Sequence, residues 1–383
     1  MAVWDELTGQ DAAISVFRHA AAAAASGSAG MTHAWLITGP PGSGRSNLAY
    51  AFATALLAIG QDDEEAVRKQ VDARSHPDLS VLSTENVIIK IDDVRGIVGS
   101  SHYSPSVSQF RVMVIEDADR MVERTSNLLL KSLEEPPPRT VWILCAPSEA
   151  DLLPTIRSRV RTVRLRTPSV DDVAALLIRR DGVEHDVAIR AARESQSHIG
   201  MARRLATNTD ARERRQRTLD IALGVRSVSD AVVAAGKLID LAKDDGNAIT
   251  VERDAEEREH ALRSLGIEPG GTIPPALRGQ LKSLDEDQKR RATRSLRDGI
   301  DRILVDLQSL YRDVLLLQLG VDTDLINAAI RDRLQDVADR TAPAQILGVL
   351  DAITTARGRI EANVAPALAL EAMLVSATRR DSR

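Results

Sequence analysis

The chain has 383 residues, which is too long for one compact core and predicts two or three domains. Its formal net charge of −5 argues against a general nucleic-acid-binding protein, which would usually be basic. The single cysteine excludes a disulfide framework or a multi-cysteine zinc site within the chain and favours a cytoplasmic location. We expect neither a signal peptide nor a membrane-spanning segment.

Strand and helix signals alternate over residues 1–166, which predicts a three-layer parallel α/β domain. Apolar strands are predicted at residues 34–39, 78–84, 112–115, 140–147 and 162–166. Helices are predicted at 46–60 and 125–138, the second with a Ser/Thr start and a proline stop. His76 has no cysteine nearby and is expected at a surface or turn position rather than at a zinc site.

The remainder of the chain reads as helical. Residues 167–208 show short amphipathic helices and predict a small lid, and residues 209–383 predict a separate helical domain. One apolar stripe with alternating steps of four and three runs along a long helix, through Leu296, Ile300, Ile303, Leu307, Leu310, Val314 and Leu317. Residues 266–276 predict a loop, and the charged run 285–297 predicts a solvated helix face.

Residues 39–46 match the pattern G-x-x-x-x-G-[K/R]-S of a phosphate-binding loop, between a predicted strand and a predicted helix. The glycines let backbone N–H groups turn inward, and the helix N-terminus adds positive potential. Arg45 replaces the usual lysine, and its planar guanidinium is not equivalent to a compact ammonium. The candidate nucleotide-binding residues here are Gly39, Gly42, Ser43, Gly44, Arg45 and Ser46, with the Ser46 hydroxyl offered to Mg²⁺. The P-loop fold is predicted, and ATP binding stays open.

Glu116 and Asp117 follow the predicted strand 112–115. A P-loop ATPase needs an Asp at this point for Mg²⁺ and often a Glu beside it to polarise water. With the order reversed, the shorter Asp117 withdraws its carboxylate by about an ångström, which costs roughly a hundredfold in rate. We therefore expect weak or absent hydrolysis; the other interpretation is that both acids merely cap the loop.

Arg157 and Arg159 follow a short helix that Pro154 helps to start. An arginine at a surface turn is usually solvated, whereas in ring ATPases such an arginine reaches the γ-phosphate held by a neighbouring subunit. Spacing alone leaves both interpretations open.

Four segments resemble, in order and spacing, the bacterial clamp-loader AAA+ subunits of DNA polymerase III. They are "HAWLITGPPGSGRS" (33–46), "RVMVIEDADRM" (111–121), "NLLLKSLEEPP" (127–137) and "TIRSRV" (155–160). The third is similar to the Leu-Glu-Glu-Pro turn of the γ/τ and δ′ subunits, and the fourth resembles their Ser-Arg-Cys motif with Val160 in place of Cys. "NVAPALALEAMLV" (363–375) resembles the last helix of their collar domain. The resemblance implies an α/β AAA+ P-loop domain, a small helical lid and an all-α collar domain.

Arg45 and the Glu116-Asp117 order resemble the δ′ branch of this family. That resemblance implies a stator with little or no ATPase of its own, in a hetero-pentamer with δ and γ/τ subunits. Such a complex loads the sliding clamp onto primer–template DNA within the DNA polymerase III holoenzyme. It implies that Arg159 is a finger acting in trans on a γ/τ ATP site, and that Arg203 in "SHIGMARR" is the lid's sensor arginine.

The resemblance also concerns the adenine and zinc sites of the family. Residues 4–10 resemble the segment that lines the adenine pocket. Many members carry a four-cysteine zinc module after the first helix, and since its cysteines are missing here, no zinc is expected.

Two other functions stay open on sequence grounds. An active γ/τ-like AAA+ ATPase is the first, and Arg45 and Asp117 argue against it. An autonomous DNA-binding or recombination AAA+ factor is the second, and the acidic sequence pI of about 5.9 argues against that.

Overall fold

The computed structural model describes residues 4, 7–28, 30–84, 88–264 and 278–378, with the backbone alone over 247–264 and 278–294. The chain forms two compact units, Met1–Thr207 and Asn208–Arg383. The predicted boundary between base and lid at residue 166 falls inside the first unit, so the three-part division stays a prediction. Among the described residues, no helix combines the length and the apolar content that a bilayer crossing needs.

A five-stranded parallel sheet lies at the centre of the first unit. Its strands are β1 (Ala34–Thr38), β2 (Leu79–Leu82), β3 (Arg111–Ile115), β4 (Thr140–Ala146) and β5 (Arg161–Arg164). They lie in the order β2-β3-β4-β1-β5, and every neighbouring pair is parallel. The register sets Ile37 of β1 opposite Cys145 of β4. All five predicted strands are confirmed, and their carboxyl ends meet at one edge of the sheet, where loops build the site.

Nine helices among the described residues surround or follow this sheet. They are α1 (Asp11–Ser26), α2 (Arg45–Leu57), α3 (Glu64–Asp72), α4 (Ile91–Ser101), α5 (Glu123–Glu134), α6 (Pro154–Arg157), α7 (Val170–Asp181), α8 (His185–Glu194) and α9 (Ile199–Thr207).

The predicted Ser/Thr start of α5 is wrong. The helix begins two residues earlier, with Val122 in an extended conformation at the cap. The Thr125 hydroxyl donates to the carbonyl of Val122 at 2.8 Å instead of accepting from a free N–H group. Three prolines, 136–138, follow the end of the helix and prevent its continuation, as predicted.

Apolar side chains bury both faces of the sheet. On one face Phe17 of α1, Trp35 of β1 and Phe52 of α2 are fully buried, with ring centroids 4.5 to 5.6 Å apart. On the other face Met113 and Trp142 pack with residues of α4 and α5. A parallel sheet covered on both sides needs strands that are apolar throughout, which is why their sequences were recognisable.

The second unit is helical over its described residues. Its helices are α10 (Thr209–Leu223), α11 (Val228–Ser264), α12 (Arg278–Gln318), α13 (Arg331–Ala338), α14 (Pro343–Glu361) and α15 (Pro366–Thr378). The predicted stripe lies on α12 and is confirmed: its five central members are buried and the outer two, Leu296 and Leu317, pack against them. The predicted loop at 266–276 and the side chains of 285–294 lie outside the described residues.

A buried polar cluster ties the helices of the second unit together. Arg215 of α10 donates to Asp306 of α12 at 3.0 Å and to the amide oxygen of Asn327 at 2.6 Å. Asp313 is fully buried and accepts the backbone and side-chain N–H groups of Asn327 at 2.7 and 2.9 Å. Every charge in this cluster is paired, which a buried ion requires.

Candidate functional site

The phosphate-binding loop has the backbone that its sequence predicts. It leaves β1 at residue 39 and enters α2 at Arg45. Gly42 and Gly44 have φ angles of 77° and 93°, a region that L side chains rarely adopt. Gly44 is the N-cap of α2, so the loop leads directly into the positive end of the helix dipole.

The start of α9 lies directly against this loop. A Cβ atom added to Gly42 would meet the His198 ring at 2.3 Å, so the ring rests on the glycine. The N–H of Ile199 donates to the carbonyl of Gly42 at 3.2 Å. The Nδ1 atom of His198 accepts the N–H of Met201 at 3.2 Å, which fixes the ring at the start of α9.

The turn that precedes His198 contains two consecutive residues in the left-handed conformation, and neither is a glycine. Gln196 and Ser197 have φ angles of 52° and 63°. The Ser197 N–H donates to the carbonyl of Ala192 at 2.9 Å, which ends α8 and reverses the chain. Sequence patterns gave no signal for this contact, because left-handed Gln and Ser are uncommon.

Glu116, at the carboxyl end of β3, is engaged within the chain. Its Oε1 atom accepts hydrogen bonds from the hydroxyl of Tyr50 and, at 2.8 Å, from Nη2 of Arg74. Burial and the bond to Glu116 raise the pKa of the Tyr50 hydroxyl above its usual range. Arg74 also lies over the Tyr50 ring, with Cζ 5.6 Å from the centroid. Sequence reasoning missed both partners; the only signal was the position of Tyr50 one helical turn after Ser46.

Arg45 extends toward the sheet edge. Its Nη1 atom is buried and has no hydrogen-bond partner among the described residues, and the same is true of Oγ of Ser43. Burial raises the pKa of the Cys145 thiol to about 12, and the charge of Arg45 acts against that rise. Arg45 therefore places its charge near the end of β4, beside the loop.

The side chains around the loop do not fit Mg²⁺–ATP. A hydrolytic site needs a carboxylate at the end of β3 that is open to the metal. Here the Glu116 carboxylate already bonds a guanidinium and a phenol. The His198 ring lies directly against Gly42 of the loop. Asp117 lies 3.9 Å from Nε of Arg120. The backbone of a phosphate cradle is present, but its donor set is not that of a working ATPase.

Arg203, which by resemblance is the sensor arginine, forms an ion pair with a residue of α7. Its Nε atom lies 2.9 Å from Oδ1 of Asp181 at the end of α7. Arg180 binds the other oxygen of the same carboxylate, also at 2.9 Å. The structure thus brings Arg203 to an acidic partner that sequence reasoning did not foresee.

The amino-terminal segment, 4–10, reaches the loop, although residues 5 and 6 lie outside the described residues. The Leu7 side chain approaches Gly44, and a Cβ atom built there would be 3.8 Å from it. Gln10 is buried and donates to the carbonyl of Arg166 at 2.7 Å. The adenine-lining role of this segment stays a prediction.

The end of α6 carries two arginines in different surroundings. Arg157 is the last residue of the helix, although the sequence predicted that it would follow the helix, and Arg159 lies in the turn after it. Arg159 is held by Glu134: its Nε atom donates to Oε1 at 2.6 Å, and Nη2 binds the same oxygen. Its Nη1 atom donates to the carbonyl of Thr155 at 2.7 Å and to Oγ of Ser158 at 3.0 Å. Arg157 is exposed, and its side chain makes no hydrogen bond or ion pair within the described residues.

His76 was expected at a surface or turn position: it lies in a turn, but its side chain is not at the surface. It is 3% exposed in the turn before β2, and its Nδ1 atom accepts the N–H of Asp78 at 3.1 Å. Burial lowers the pKa of the His76 imidazole, partly offset by Asp78. Within the described ranges, no group of three or more His, Cys, Asp or Glu side chains is arranged to hold a metal ion.

Comparisons with known proteins concern the first unit above all. Residues 9–169 match the family model described as "DNA polymerase III, delta subunit". The δ′ subunit of DNA polymerase III from Pseudomonas aeruginosa is 38% identical over 140 residues, which cover 35% of this chain and 43% of that protein. The chain thus spans about half or less of the length of the first curated relatives it matches.

Two further similarities extend along more of the chain. The DNA polymerase III subunit γ/τ of Mycobacterium bovis is 26% identical over 360 residues, which cover 89% of this chain and 56% of that protein. A solved structure of a γ subunit-related protein from Thermotoga maritima is similar at 17% identity and a TM-score of 0.39, over 90% of this chain and 93% of that chain. The match of residues 9–169 and these curated relatives thus show that this part of the chain is similar to the clamp-loader subunits of DNA polymerase III.

Proposed function

We propose that this chain is the δ′-type stator of a clamp loader. It does not turn over ATP itself and supplies Arg159 in trans to the ATP site of a neighbouring γ/τ subunit. Its partners on this proposal are δ and γ/τ subunits in a hetero-pentamer, which loads the sliding clamp onto primer–template DNA in the cytoplasm. The chain's own contribution to the polymerase is therefore structural and electrostatic.

One observation carries the proposal: the Glu116 carboxylate is already bound. Arg74 supplies a positive charge at 2.8 Å, in the place where a metal ion would have to approach, and Tyr50 takes the same oxygen. The carboxylate is only 15% exposed. A metal ion would have to displace a charge-assisted hydrogen bond at a partly buried site, where such bonds are strong.

The Arg45 side chain supports the same proposal. A P-loop lysine is a compact charge that reaches the β- and γ-phosphates, and a guanidinium is not its equivalent there. The Nη1 atom of Arg45 is buried without a hydrogen-bond partner among the described residues. This supports a site that retains a donor for an anion but lacks the compact ammonium of a P-loop lysine. The loop then serves mainly to shape the edge of the unit that carries the lid.

The second candidate function is a γ/τ-like motor. Its support is the similarity to the M. bovis γ/τ subunit, which covers 89% of this chain, together with the intact backbone of the loop. On this alternative the Glu116 contacts would have to open during the ATP cycle.

Nucleotide binding and turnover by the purified full chain separate the two functions. We expect no turnover by the chain alone and no gain in turnover from Arg45→Lys, because Glu116 remains bound in that variant. Ser46→Ala provides the matched control for any contaminating ATPase. Turnover that is abolished by Arg45→Ala or Ser46→Ala would identify a working site and reject the stator.

A further inference from the structure

The Arg159 side chain is fixed more completely than a surface arginine requires. Its guanidinium is 31% exposed, and its partner Glu134 is 47% exposed. Exposed ion pairs contribute about 0–1 kcal/mol to stability, since solvent screening and side-chain entropy offset the attraction. Stability therefore gives little reason for an arrangement that engages every nitrogen of this side chain.

The hydrogen bonds define the direction in which Arg159 presents its charge. A guanidinium has five N–H donors in a rigid plane. Nε and Nη2 donate to Oε1 of Glu134, and Nη1 donates to Thr155 O and Ser158 Oγ, which together occupy four donors. The remaining N–H belongs to Nη2. The guanidinium plane is thus fixed on two sides. The one N–H without an acceptor among the described residues, on Nη2, faces away from Nε.

The local sequence places the Glu134 carboxylate where it can bind Arg159. It is the last residue of α5, and the chain then turns at Glu135 and the prolines 136–138. The prolines prevent the helix from continuing, so the Glu134 carboxylate projects from a rigid helix end. Glu135 is also exposed but makes no hydrogen bond or ion pair with Arg159 within the described residues, which distinguishes the two neighbours.

We propose that Glu134 is a positioning residue for Arg159. It holds the guanidinium in the orientation that the neighbouring γ-phosphate meets, so less side-chain freedom is lost when the guanidinium engages the transition state. This inference rests on the proposed function, because it assumes that Arg159 acts on a neighbour's ATP. Immobilising one long side chain costs roughly two- to tenfold in an equilibrium or rate at the site that receives it.

The test is a double-mutant cycle in the reconstituted clamp loader, with DNA-stimulated ATP turnover as the readout. The variants are Glu134→Ala, Arg159→Ala and the pair, with Glu134→Gln as the conservative variant and Glu135→Ala as the matched control. Assembly of each complex is checked by size-exclusion chromatography before kcat and KM are measured. Folding of each variant is checked by its thermal unfolding transition.

We expect Glu134→Ala to lower kcat by about twofold or more with KM for ATP unchanged, since orientation acts on the transition state. Glu134→Gln keeps an acceptor oxygen and should restore most of the rate, while Glu135→Ala should equal the wild type. The double variant should be no slower than Arg159→Ala alone, because both substitutions remove the same interaction between Glu134 and Arg159.

Two results would overturn the inference. Wild-type kcat in Glu134→Ala, beside a loss in Arg159→Ala, rejects the positioning role while the finger stands. Independent, multiplying losses in the pair would show that Glu134 acts through general structure. Unchanged kcat in Arg159→Ala would instead reject the proposed function itself, and the inference with it.

Discussion

At the scale of single residues, a few glycines and charged groups decide what the first unit can do. Gly42 provides both a left-handed turn and the space in which the His198 ring lies. Glu116 is bound by Arg74 and Tyr50, and Arg159 is bound by Glu134. In each case a motif residue stands where sequence predicts it, and its partner is a residue to which the sequence analysis gave no role.

Gly42→Ala tests the contact between lid and loop. The new side chain would carry the strain of a positive φ, about 1–2 kcal/mol, and would also displace the His198 ring, 2.3 Å from its Cβ. Gly27→Ala is the matched control, because Gly27 has a φ of 63° and nothing within 4 Å of an added Cβ. All three tryptophans lie in the first unit, so urea unfolding followed by tryptophan fluorescence measures its stability.

We expect Gly42→Ala to lose clearly more stability than Gly27→Ala. Adding His198→Ala to Gly42→Ala should return the loss to about that of the control, because only backbone strain then remains. Equal losses for the two glycine variants would mean that His198 does not rest on the loop in solution.

The residue scale also shows where sequence reasoning ends. The pattern of residues 39–46 and the acids after β3 were sufficient to locate the loop and the sheet edge. The pairing of Glu116 with Arg74 depends on α3 ending beside β3, and that of Arg203 with Asp181 depends on how α7 and α9 pack. Such contacts join residues tens of positions apart, and no local periodicity encodes them.

At the scale of elements, strands and helices were predictable because their physics is local. Strands covered on both faces are continuous apolar runs, and α12 shows its stripe at helical spacing. Element ends were less certain: α5 begins at Glu123, because an extended Val122 rather than a hydroxyl residue precedes it. His76 lies in a turn, one of its two predicted positions, but the charged segment around it gave no sign that the turn before β2 buries its side chain.

Asp78→Asn tests how the turn before β2 is fixed to a distant loop. The Asp78 carboxylate is fully buried and accepts the backbone N–H groups of Ser106, Val107 and Ser108 at 2.6 to 2.8 Å. Burial alone would raise the pKa of this carboxyl, but these hydrogen bonds outweigh burial and lower it below its ordinary 3.8. Asp92→Asn, at an 83% exposed position, is the control.

At neutral pH we expect Asp78→Asn to lose about 1–3 kcal/mol of unfolding free energy, since a charged acceptor of several hydrogen bonds is replaced. Because the folded pKa lies below the unfolded one, the carboxylate's contribution is complete above the unfolded value and is lost as the pH falls through the folded value. Urea unfolding between pH 7 and 3 should therefore show the difference shrinking below about pH 4. A difference that does not change with pH would contradict this account.

At the scale of the whole molecule, the two units divide the work that we propose. The first unit carries the loop, the lid and the arginine turn, and the second is a set of helices with its own apolar core and a paired polar cluster. The fold class and the similarity to clamp-loader subunits followed from the sequence, since the motifs occur in one fixed order. The role of each site residue did not, because a finger acting in trans has its target on another chain.

The central claim is that this chain acts on another subunit's ATP through Arg159. The most direct measurement is DNA-stimulated ATP turnover by clamp loaders reconstituted with the wild-type chain, with Arg159→Ala or with Arg157→Ala. Arg157 lies two residues away as the last residue of α6, is exposed and serves as the matched control. We predict that Arg159→Ala lowers turnover by at least about twofold, as expected when one ATP site loses its arginine, while Arg157→Ala equals the wild type. Unchanged turnover with Arg159→Ala, or an equal loss with Arg157→Ala, would contradict the account.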